Sequence, residues 1–286
     1  MKVVTVCRMN QARSPLAEAV LKANFPEHEF FSAGIEAFSG APVLSELLKV
    51  AKEWDITELK THSESMGDQK ENILTADLII VSENKHTELV RQFGFKGELL
   101  SCESALPDYM FAPKDPEGMP IDKARRELGK VTGLSLRLFL NAINSHSPNK
   151  IISVTPNGSS DVSMALQAAH LEAVNRKAIL MDADFRAPLE EQDLIEAGLN
   201  PVFFDFDKIL ENGLPILGIN DILVHDKEIN HPERIYLSPK WRKFLDMCTQ
   251  NQELVMLTAP RYAKTRSLPD SFIVAALADE FIVIST

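Results

Sequence analysis

The sequence predicts an α/β protein with two domains, each built on a parallel β-sheet that is flanked by helices. Two observations lead to this prediction. Short runs of aliphatic and β-branched residues alternate along the chain with stretches in which apolar residues recur at helical spacing, as is typical of parallel sheets. The polar segment 144–149 interrupts this alternation after a long helix and before a new strand. The predicted domains therefore span residues 1–145 and 150–286.

In the first domain, short apolar runs predict parallel strands that are buried on both faces. The first run, at residues 3–6, leads through a loop into a helix in which Leu16, Ala19 and Val20 recur at helical spacing. Further strands are predicted at 76–82 and 99–101, and further helices at 86–91 and 123–142.

The second domain repeats the alternation of strand and helix, which implies a second parallel sheet covered on both faces. Strands are predicted at 150–155, 178–182, 234–237, 254–258 and 281–285, and helices at 162–174, 241–248 and 271–278.

Composition limits the functional classes. The chain has 286 residues, 45% of them hydrophobic, and no apolar run near 18 residues, so we expect a soluble protein without direct membrane insertion. Its 41 acidic residues outnumber its 30 basic ones, and the net charge of −11 disfavours a nucleic-acid partner. Three scattered cysteines and a core strand directly after Met1 predict a cytoplasmic location. No Cys or His cluster has metal-ligand spacing, so we expect neither a metal nor another cofactor.

The segment after the first strand carries the most informative chemistry. Cys7 and Arg13 lie at the two ends of a short loop that leads into a helix. Backbone N–H groups of such a loop converge on one point, where the helix dipole favours an oxyanion and helps a thiol to ionise. Arg13 is suited to hold a phosphoryl group with two parallel N–H bonds. These residues predict attack on phosphorus by Cys7, with a cysteinyl-phosphate intermediate.

Other residues of this loop have predicted supporting roles. Asn10 is a residue type that tolerates a left-handed backbone. Ser14 is predicted to cap the helix, with Pro15 at the first helical position, and its hydroxyl could also donate to the Cys7 thiolate. The predicted phosphate-binding residues are Arg8, Met9, Asn10, Gln11, Ala12, Arg13 and Ser14.

This segment resembles the signature of the low-molecular-weight protein tyrosine phosphatase family, Cys-x-Gly-Asn-x-Cys-Arg-Ser-Pro-x-Ala-Glu. Met9 stands where the family usually has Gly, and its side chain is expected to narrow or reshape the phosphate mouth. Ala12 stands where the family often has a second Cys, which removes a redox partner of the nucleophile. The matching positions are Cys7, Asn10, Arg13, Ser14, Pro15, Ala17 and Glu18.

The resemblance continues along the first domain. Residues 31–34 are similar to a short strand and turn of that family, and residues 40–42 precede an amphipathic helix as they do there. Asp55 and His62 fit the segment that follows this helix. The resemblance implies that the first domain has the fold of the low-molecular-weight phosphatases.

The resemblance also implies a general acid in an Asp-Pro pair near the end of this domain. Asp115 and Pro116 supply such a pair, and Asp108 is the alternative acid. A positioned carboxylic acid protonates the leaving oxygen and contributes about 10² to 10⁴ in rate. Asp beside Pro is also common in turns, so the residues alone leave both readings open. Glu117 follows the pair where the family often has aromatic residues, which leaves the preference for phosphotyrosine open.

The second domain resembles the cytoplasmic domain of bacterial tyrosine kinases and the related ParA/MinD-type P-loop ATPases. Residues 180–188 are similar to the second Walker-type motif of those kinases, Asp-x-Asp-x-Arg-x-Pro, with Asp182 and Asp184 as its carboxylates. The strand at 150–155 lies where the first Walker motif belongs. The following loop lacks the Lys that such a motif needs, and Asp161 would direct negative charge at a triphosphate. Thr258 stands where the third motif has its acidic residue.

These departures predict a P-loop-like domain without an intact Walker A motif, which binds partners and does not hydrolyse ATP. Together the two resemblances imply a protein tyrosine phosphatase that acts on a phosphorylated protein, such as a bacterial tyrosine kinase of exopolysaccharide synthesis. Two alternatives remain open from the sequence, namely arsenate reductase on the same fold and a non-catalytic regulatory scaffold. Only Cys102 accompanies Cys7 in the first domain, which counts against a thioredoxin-coupled arsenate reductase.

Overall fold

The computed structural model of the protein describes most of the chain. The chain forms two compact units, Met1–Ser145 and His146–Thr286. The described residues are 1–106, 112–143, 150–156, 162–176, 178–183, 185, 189–227, 229, 232–251, 254–258 and 280–284. Within this part of the chain, no helix has both the length and the apolar composition that crossing a membrane requires.

The first unit contains a four-stranded parallel sheet in the order β2-β1-β3-β4. Its strands are β1 (Lys2–Cys7), β2 (Glu29–Gly34), β3 (Leu78–Val81) and β4 (Glu98–Ser101). Its helices are α1 (Arg13–Asn24), α2 (Ser45–Glu53), α3 (Lys70–Leu74), α4 (Lys85–Gln92) and α5 (Ile121–Ile143). The strands and helices predicted here are confirmed, and the short helix α3 is an addition.

Strand β1 lies in the middle of this sheet because nearly all of its side chains are apolar and can be buried on both faces. Val4 and Val6 are fully buried on one face, in a core that also contains Ile79 and Val81 of β3. In the parallel register Cys7 lies opposite Gly34 at the end of β2. The nucleophile predicted from the sequence therefore lies at the carboxyl edge of the sheet, where α/β folds place their ligands.

The second unit contains a six-stranded parallel sheet in the order β10-β5-β9-β6-β8-β7. Its strands are β5 (Lys150–Pro156), β6 (Ile179–Asp182), β7 (Asn200–Phe204), β8 (Asp221–His225), β9 (Leu254–Thr258) and β10 (Glu280–Ile284). Its helices are α6 (Val162–Arg176), α7 (Glu191–Glu196), α8 (Phe206–Asn212), α9 (Glu233–Tyr236) and α10 (Pro239–Asn251). Of the predicted helices, the one at 271–278 lies outside the described residues.

One predicted strand of the second unit is wrong, because residues 234–237 form the helix α9 and the turn after it. Pro232 precedes this helix, and Tyr236 is buried with its ring stacked on Phe185 at 5.1 Å between centroids. The Tyr236 hydroxyl donates to the carbonyl of Ala183. Tertiary packing of one aromatic ring thus overrides the strand preference of the local sequence.

Strands β7 and β8 were not predicted from the sequence. Pro201 lies inside β7, which is the edge strand of the sheet, where the missing N–H of proline is tolerated. Both strands are also short, and polar residues begin each of them, so neither shows a clear apolar run.

Candidate active site

The loop between β1 and α1 surrounds the sulfur of Cys7 with hydrogen-bond donors. The backbone N–H of Asn10 donates to Cys7 Sγ at 3.2 Å, and the Ser14 hydroxyl donates to the same sulfur at 3.0 Å. Asn10 has φ = 52°, the left-handed conformation that its residue type tolerates, and this turns the loop back on the thiol. The sulfur that receives these two hydrogen bonds is buried and belongs to the residue predicted from the sequence to be the nucleophile.

The predicted capping role of Ser14 is wrong. Helix α1 begins at Arg13, and its N-cap residue, Ala12, makes no side-chain capping hydrogen bond. The hydroxyl of Ser14 is directed to Cys7, in agreement with the second role that the sequence allowed. The helix begins two residues earlier than predicted because the loop, not a serine cap, sets its first turn.

A buried network of polar side chains holds the loop in shape. Asn10 Nδ2 donates to the hydroxyls of Ser14 and Ser32 at 2.9 and 2.8 Å, and Asn10 Oδ1 accepts the N–H of Glu64 at 2.8 Å. The Ser32 hydroxyl in turn donates to Glu18 Oε2 at 2.6 Å. Asn10 is fully buried and uses both ends of its amide, so its conformation is fixed from three different segments of the chain.

Gly34, at the end of β2, allows the loop to pass closely over the sheet. A Cβ atom on Gly34 would lie 2.7 Å from the carbonyl carbon of Met9 and 2.8 Å from the amide nitrogen of Asn10. These neighbours are backbone atoms of the loop itself, so a side chain at position 34 would displace the loop. The close approach explains the glycine at this position without any need for a positive φ.

Arg13 joins the loop to two acidic residues from other parts of the first unit. Its guanidinium is buried, with Nη1 donating to Glu83 Oε1 at 2.6 Å and Nη2 donating to Asp115 Oδ2 at 2.9 Å. Burial alone would lower the pKa of Arg13, but the nearby Cys7, Asp115 and Glu83 outweigh it and raise the pKa. The guanidinium is therefore a permanent, oriented cation beside the sulfur.

Asp115 lies in the segment before α5, with about a third of its side chain exposed. Besides Arg13, its Oδ2 lies 3.6 Å from Nη2 of Arg8, and Arg8 Nη2 also lies 3.3 Å from Glu117 Oε2. The structure thus brings Asp115 to the loop that holds Cys7. The alternative acid, Asp108, lies outside the described residues.

Two further residues of the site, Glu83 and His86, were missed by sequence reasoning. Burial raises the pKa of Glu83, but hydrogen bonds to Lys85 and Arg13 outweigh it, and the carboxyl is held ionised. Burial lowers the pKa of His86 to about 4, and neither ring nitrogen has a hydrogen-bond partner among the described residues. Both residues come shortly after β3, near the carboxyl edge of the sheet. Because ligands of α/β folds bind at this edge, their place directly after a predicted strand is the signal in the sequence that could have identified them.

A cavity of about 470 Å³ lies between Arg8, which follows Cys7, the residues that follow β3 and the segment of Asp115. This volume is typical of pockets for small ligands and side chains. No aromatic side chain of the described residues lines it. The lining residues are Arg8, Glu83, Lys85, Ala112, Pro113, Lys114 and Asp115.

The second cysteine of this unit is not arranged as a partner for Cys7. Cys102 is fully buried, and burial raises the pKa of its thiol to about 11, so the thiol stays protonated at neutral pH. Ala12 is also buried in the loop and has no group that could take part in redox chemistry. Within the described part of the chain, no group of three or more His, Cys, Asp or Glu side chains is arranged to hold a metal ion.

In the second unit, the motif predicted at residues 180–188 has two carboxylates, and of these Asp182 lies within the described residues. It is buried at the end of β6, and its Oδ2 accepts the backbone N–H of Leu189 at 2.8 Å. The carboxyl ends of β5, β9 and β6, which precede the three predicted motifs, are neighbours in the sheet. Asp161 and Asp184 lie outside the described residues.

Comparison with known proteins gives matches to the first unit. The sequence profile of the low molecular weight phosphotyrosine protein phosphatase family matches residues 2–106. Low molecular weight protein-tyrosine-phosphatase PtpB of Staphylococcus aureus is 32% identical over 102 residues, which cover 35% of this chain and 70% of that protein. Its counterpart in Staphylococcus epidermidis is 31% identical over 90 residues, covering 32% of this chain and 62% of that protein.

Solved structures give similar matches. A low molecular weight protein tyrosine phosphatase from T. tengcongensis is 28% identical, with a TM-score of 0.43, and the match covers 49% of this chain and 97% of that one. The tyrosine phosphatase Wzb from Escherichia coli K30 is 20% identical, with a TM-score of 0.42, and the match covers 48% of this chain and 94% of that one.

Proposed function

Because this chain belongs to the low molecular weight phosphotyrosine protein phosphatase family, we propose that it hydrolyses phosphotyrosine in proteins through a covalent intermediate on Cys7. The observation that carries this proposal is the convergence of Asn10 N–H, the Ser14 hydroxyl and the Arg13 guanidinium around one buried sulfur. Such an arrangement stabilises both a thiolate and the phosphoryl group that it attacks.

In the first step the Cys7 thiolate attacks phosphorus. A sulfur–phosphorus bond forms while the bond from phosphorus to the tyrosine oxygen breaks, and the carboxylic acid of Asp115 gives its proton to that oxygen. Arg13 holds two phosphoryl oxygens, and the backbone of residues 8–14 binds the remaining charge. Phosphate oxygens replace Asp115 on Arg13 Nη2, which frees the carboxyl for the leaving oxygen.

In the second step water hydrolyses the cysteinyl phosphate. The Asp115 carboxylate takes a proton from water as the water oxygen attacks phosphorus, and the sulfur–phosphorus bond breaks. The thiolate leaves with the Ser14 hydroxyl and the Asn10 N–H as its hydrogen-bond donors. Inorganic phosphate is released, and both residues return to their starting protonation states.

The direct test is hydrolysis of p-nitrophenyl phosphate between pH 5 and 8 by the wild type and by the variants Cys7→Ser and Asp115→Asn. We expect no activity from the first variant and a loss of about 10² to 10⁴ in kcat from the second. Asp122→Asn, which changes an exposed aspartate on α5, is the matched control and should retain activity. Intact mass of the quenched wild type should show one added phosphoryl group, on the peptide that contains Cys7.

Other outcomes lead to the two alternatives. If the wild type released no phosphate, thiol-dependent reduction of arsenate would be measured next, although the buried Cys102 supports no disulfide relay with Cys7. If neither reaction occurred, the chain would be a regulatory scaffold in which both units only bind.

For the second unit we propose a P-loop-like binding module that docks a phosphorylated bacterial tyrosine kinase of exopolysaccharide synthesis. Support comes from the resemblance of residues 180–188 and from the adjacency of β5, β9 and β6 in the sheet. The use of Asp182 as an acceptor for the backbone of Leu189 is compatible with loss of a phosphotransfer role. Docking would raise the effective concentration of substrate at Cys7.

This role is tested with the full chain and a phosphorylated kinase domain. The kcat/KM for that domain is compared with the kcat/KM for a free phosphopeptide of the same local sequence. Docking predicts a value about 10² higher for the domain, as multivalent binding allows. Equal values would show that the second unit adds nothing to recognition of the kinase.

A further inference from the structure

A carboxylate on α5 holds the segment that carries Asp115. Glu127 Oε2 accepts the backbone N–H of Lys114, the residue directly before Asp115, at 2.9 Å. Glu127 is buried with 8% of its surface exposed, on the second turn of a long and well-buried helix. This segment is thus attached to a rigid element by one charge-assisted hydrogen bond next to the acid itself.

Glu127 forms an ion pair with a second buried residue. Lys130 Nζ lies 3.2 and 3.3 Å from the two carboxylate oxygens of Glu127, and its side chain is also almost fully buried. Burial lowers the pKa of Lys130, while Glu127 acts in the opposite direction. A buried ion pair generally stabilises a fold no better than apolar residues of the same size would. A gain in stability therefore explains the presence of this buried pair poorly. The hydrogen bond from Lys114 to Glu127 explains it better.

Within the described residues 112–116, which we call the acid segment, the backbone offers few other hydrogen-bond donors. Pro113 and Pro116 flank Lys114 and Asp115, so two of these four residues have no backbone N–H to donate. Both prolines are buried, which restricts the segment, but apolar contact does not fix the direction of the Asp115 side chain. The Glu127 bond lies one residue away from Asp115, whose carboxylate reaches Arg13 at 2.9 Å.

We propose that Glu127 is a positioning residue for Asp115 and acts through the amide of Lys114, with Lys130 as the ion-pair partner of Glu127. The inference rests on the proposed function in one respect, namely that Asp115 is the general acid. A displacement of about 1 Å in a reacting group is enough to cost about 10² in rate, so loss of this anchor should impair proton donation.

The test uses two double variants of the full chain that differ in one respect. Both contain Lys130→Met, which removes the buried cation. One adds Glu127→Gln, whose amide oxygen still accepts the N–H of Lys114, and the other adds Glu127→Leu, which has no acceptor.

Steady-state kinetics are measured with phenyl phosphate, whose leaving group needs protonation, and with 2,4-dinitrophenyl phosphate, whose leaving group does not. Glu53→Gln, which changes a different ion pair, between Glu53 of α2 and Arg125 of α5, is the control.

We expect the Leu variant to lose at least about tenfold in kcat for phenyl phosphate and less than about threefold for dinitrophenyl phosphate, with KM unchanged. The Gln variant and Glu53→Gln should stay within about threefold of the wild type on both substrates. Hydrogen exchange of the peptide spanning residues 112–116 should be faster in the Leu variant than in the Gln variant, because the Lys114 amide has lost its acceptor.

Three outcomes would overturn the inference. Equal kinetics of the Leu and Gln variants would show that the acceptor at position 127 does not matter. A loss of the same size on both substrates would show a general structural role. If Asp115→Asn itself showed no dependence on the leaving group, Asp115 would not be the acid, and the proposed function would fail at that residue. In the first two cases the activity of Asp115→Asn still depends on the leaving group. Failure of the inference about Glu127 can therefore be distinguished from failure of the proposed role of Asp115.

Discussion

Arg13 Nη2 lies 2.9 Å from Asp115 Oδ2, although the two residues are 102 positions apart in the chain. This contact joins the first residue of α1, at the end of the loop that follows β1, to the segment that precedes α5. The same guanidinium holds Glu83 through its other nitrogen, so one buried arginine orients two carboxylates from two segments. The planar, forked guanidinium fixes the directions of both contacts at once, and this property leads to the first prediction.

Arg13→Lys should abolish most of the phosphatase activity. An ammonium group cannot hold Glu83 and Asp115 in the same plane, and it cannot bind a phosphoryl group with two parallel bonds. We expect kcat/KM for p-nitrophenyl phosphate to fall at least about 10², in line with the loss of one preorganised oxyanion contact. Arg125→Lys, which changes an arginine that binds Glu53 and Asp122, should leave the activity unchanged. Similar losses in both variants would argue against a special role for the fork of Arg13.

Ser14→Ala should slow the reaction without unfolding the protein. The variant removes a donor that lies 3.0 Å from the Cys7 sulfur, and a hydrogen bond to a charged group contributes about 1.5–3 kcal/mol. The expected loss in kcat is about tenfold or more. Ser82→Ala is the control, because the Ser82 hydroxyl is equally buried but donates to the carbonyl of Val6. Wild-type kcat in Ser14→Ala would remove the hydroxyl from the mechanism.

Gly34→Ala should lower the activity, because the new methyl group would clash with the backbone of Met9 and Asn10. Its Cβ would lie 2.7 Å from the carbonyl carbon of Met9, and the loop must shift to make room. We expect a loss of about 10² in kcat/KM, since a displacement near 1 Å is costly at a reacting centre. Gly67→Ala provides the comparison, because its nearest neighbour is the hydroxyl of Ser65 at 3.4 Å. The Gly67 variant should have normal kinetics, and normal kinetics in both would contradict the predicted clash.

His86 should make the first unit less stable in mild acid. Its pKa falls from 6.5 to about 4 on folding, chiefly through burial and also through the nearby Arg13 and Lys85, against the pull of Glu83. Below pH 6.5 the unfolded chain binds a proton that the folded chain accepts only near pH 4, so stability is lost as the pH falls through this window. Across the whole window the loss is roughly 3 kcal/mol.

The measurement is urea unfolding at several pH values, followed by alkylation of Cys102, whose thiol is fully buried in the folded first unit. His86→Phe should remove this part of the pH dependence, so that the difference in unfolding free energy between variant and wild type grows as the pH falls from 6.5 to 4. Gln92→Ala, on the same helix, should keep the wild-type profile. A constant difference between His86→Phe and wild type would mean that His86 does not titrate in this window.

The local features of the site were predictable because they are contiguous in the chain. Cys7, Asn10 and Arg13 belong to one strand–loop–helix segment, and their chemistry follows from residue type and spacing. The positive φ of Asn10 and the contact of Ser14 with Cys7 agree with the sequence-based predictions. The predicted serine cap failed, because capping preference is weaker than the demand for a donor at the sulfur.

The residues that support this segment come from elsewhere in the chain, and no local pattern points to them. Glu83 and Glu127 resemble any other glutamate of a helix or loop until folding places one beside Arg13 and the other beneath Lys114. The strand predicted at 234–237 became a helix for the same reason, since the packing of Tyr236 on Phe185 is a contact between distant segments.

By itself, the sequence determined the α/β class, the position of Cys7, the proposed nucleophile, at the end of the first strand and the loop that surrounds it. Hydrophobic periodicity and short-range spacing specify such features directly. The tertiary structure decided which carboxylates face Arg13 and how the acid segment is anchored. Those contacts depend on which strands become neighbours, and the order β2-β1-β3-β4 arises from burial of the whole apolar core and not from any one segment.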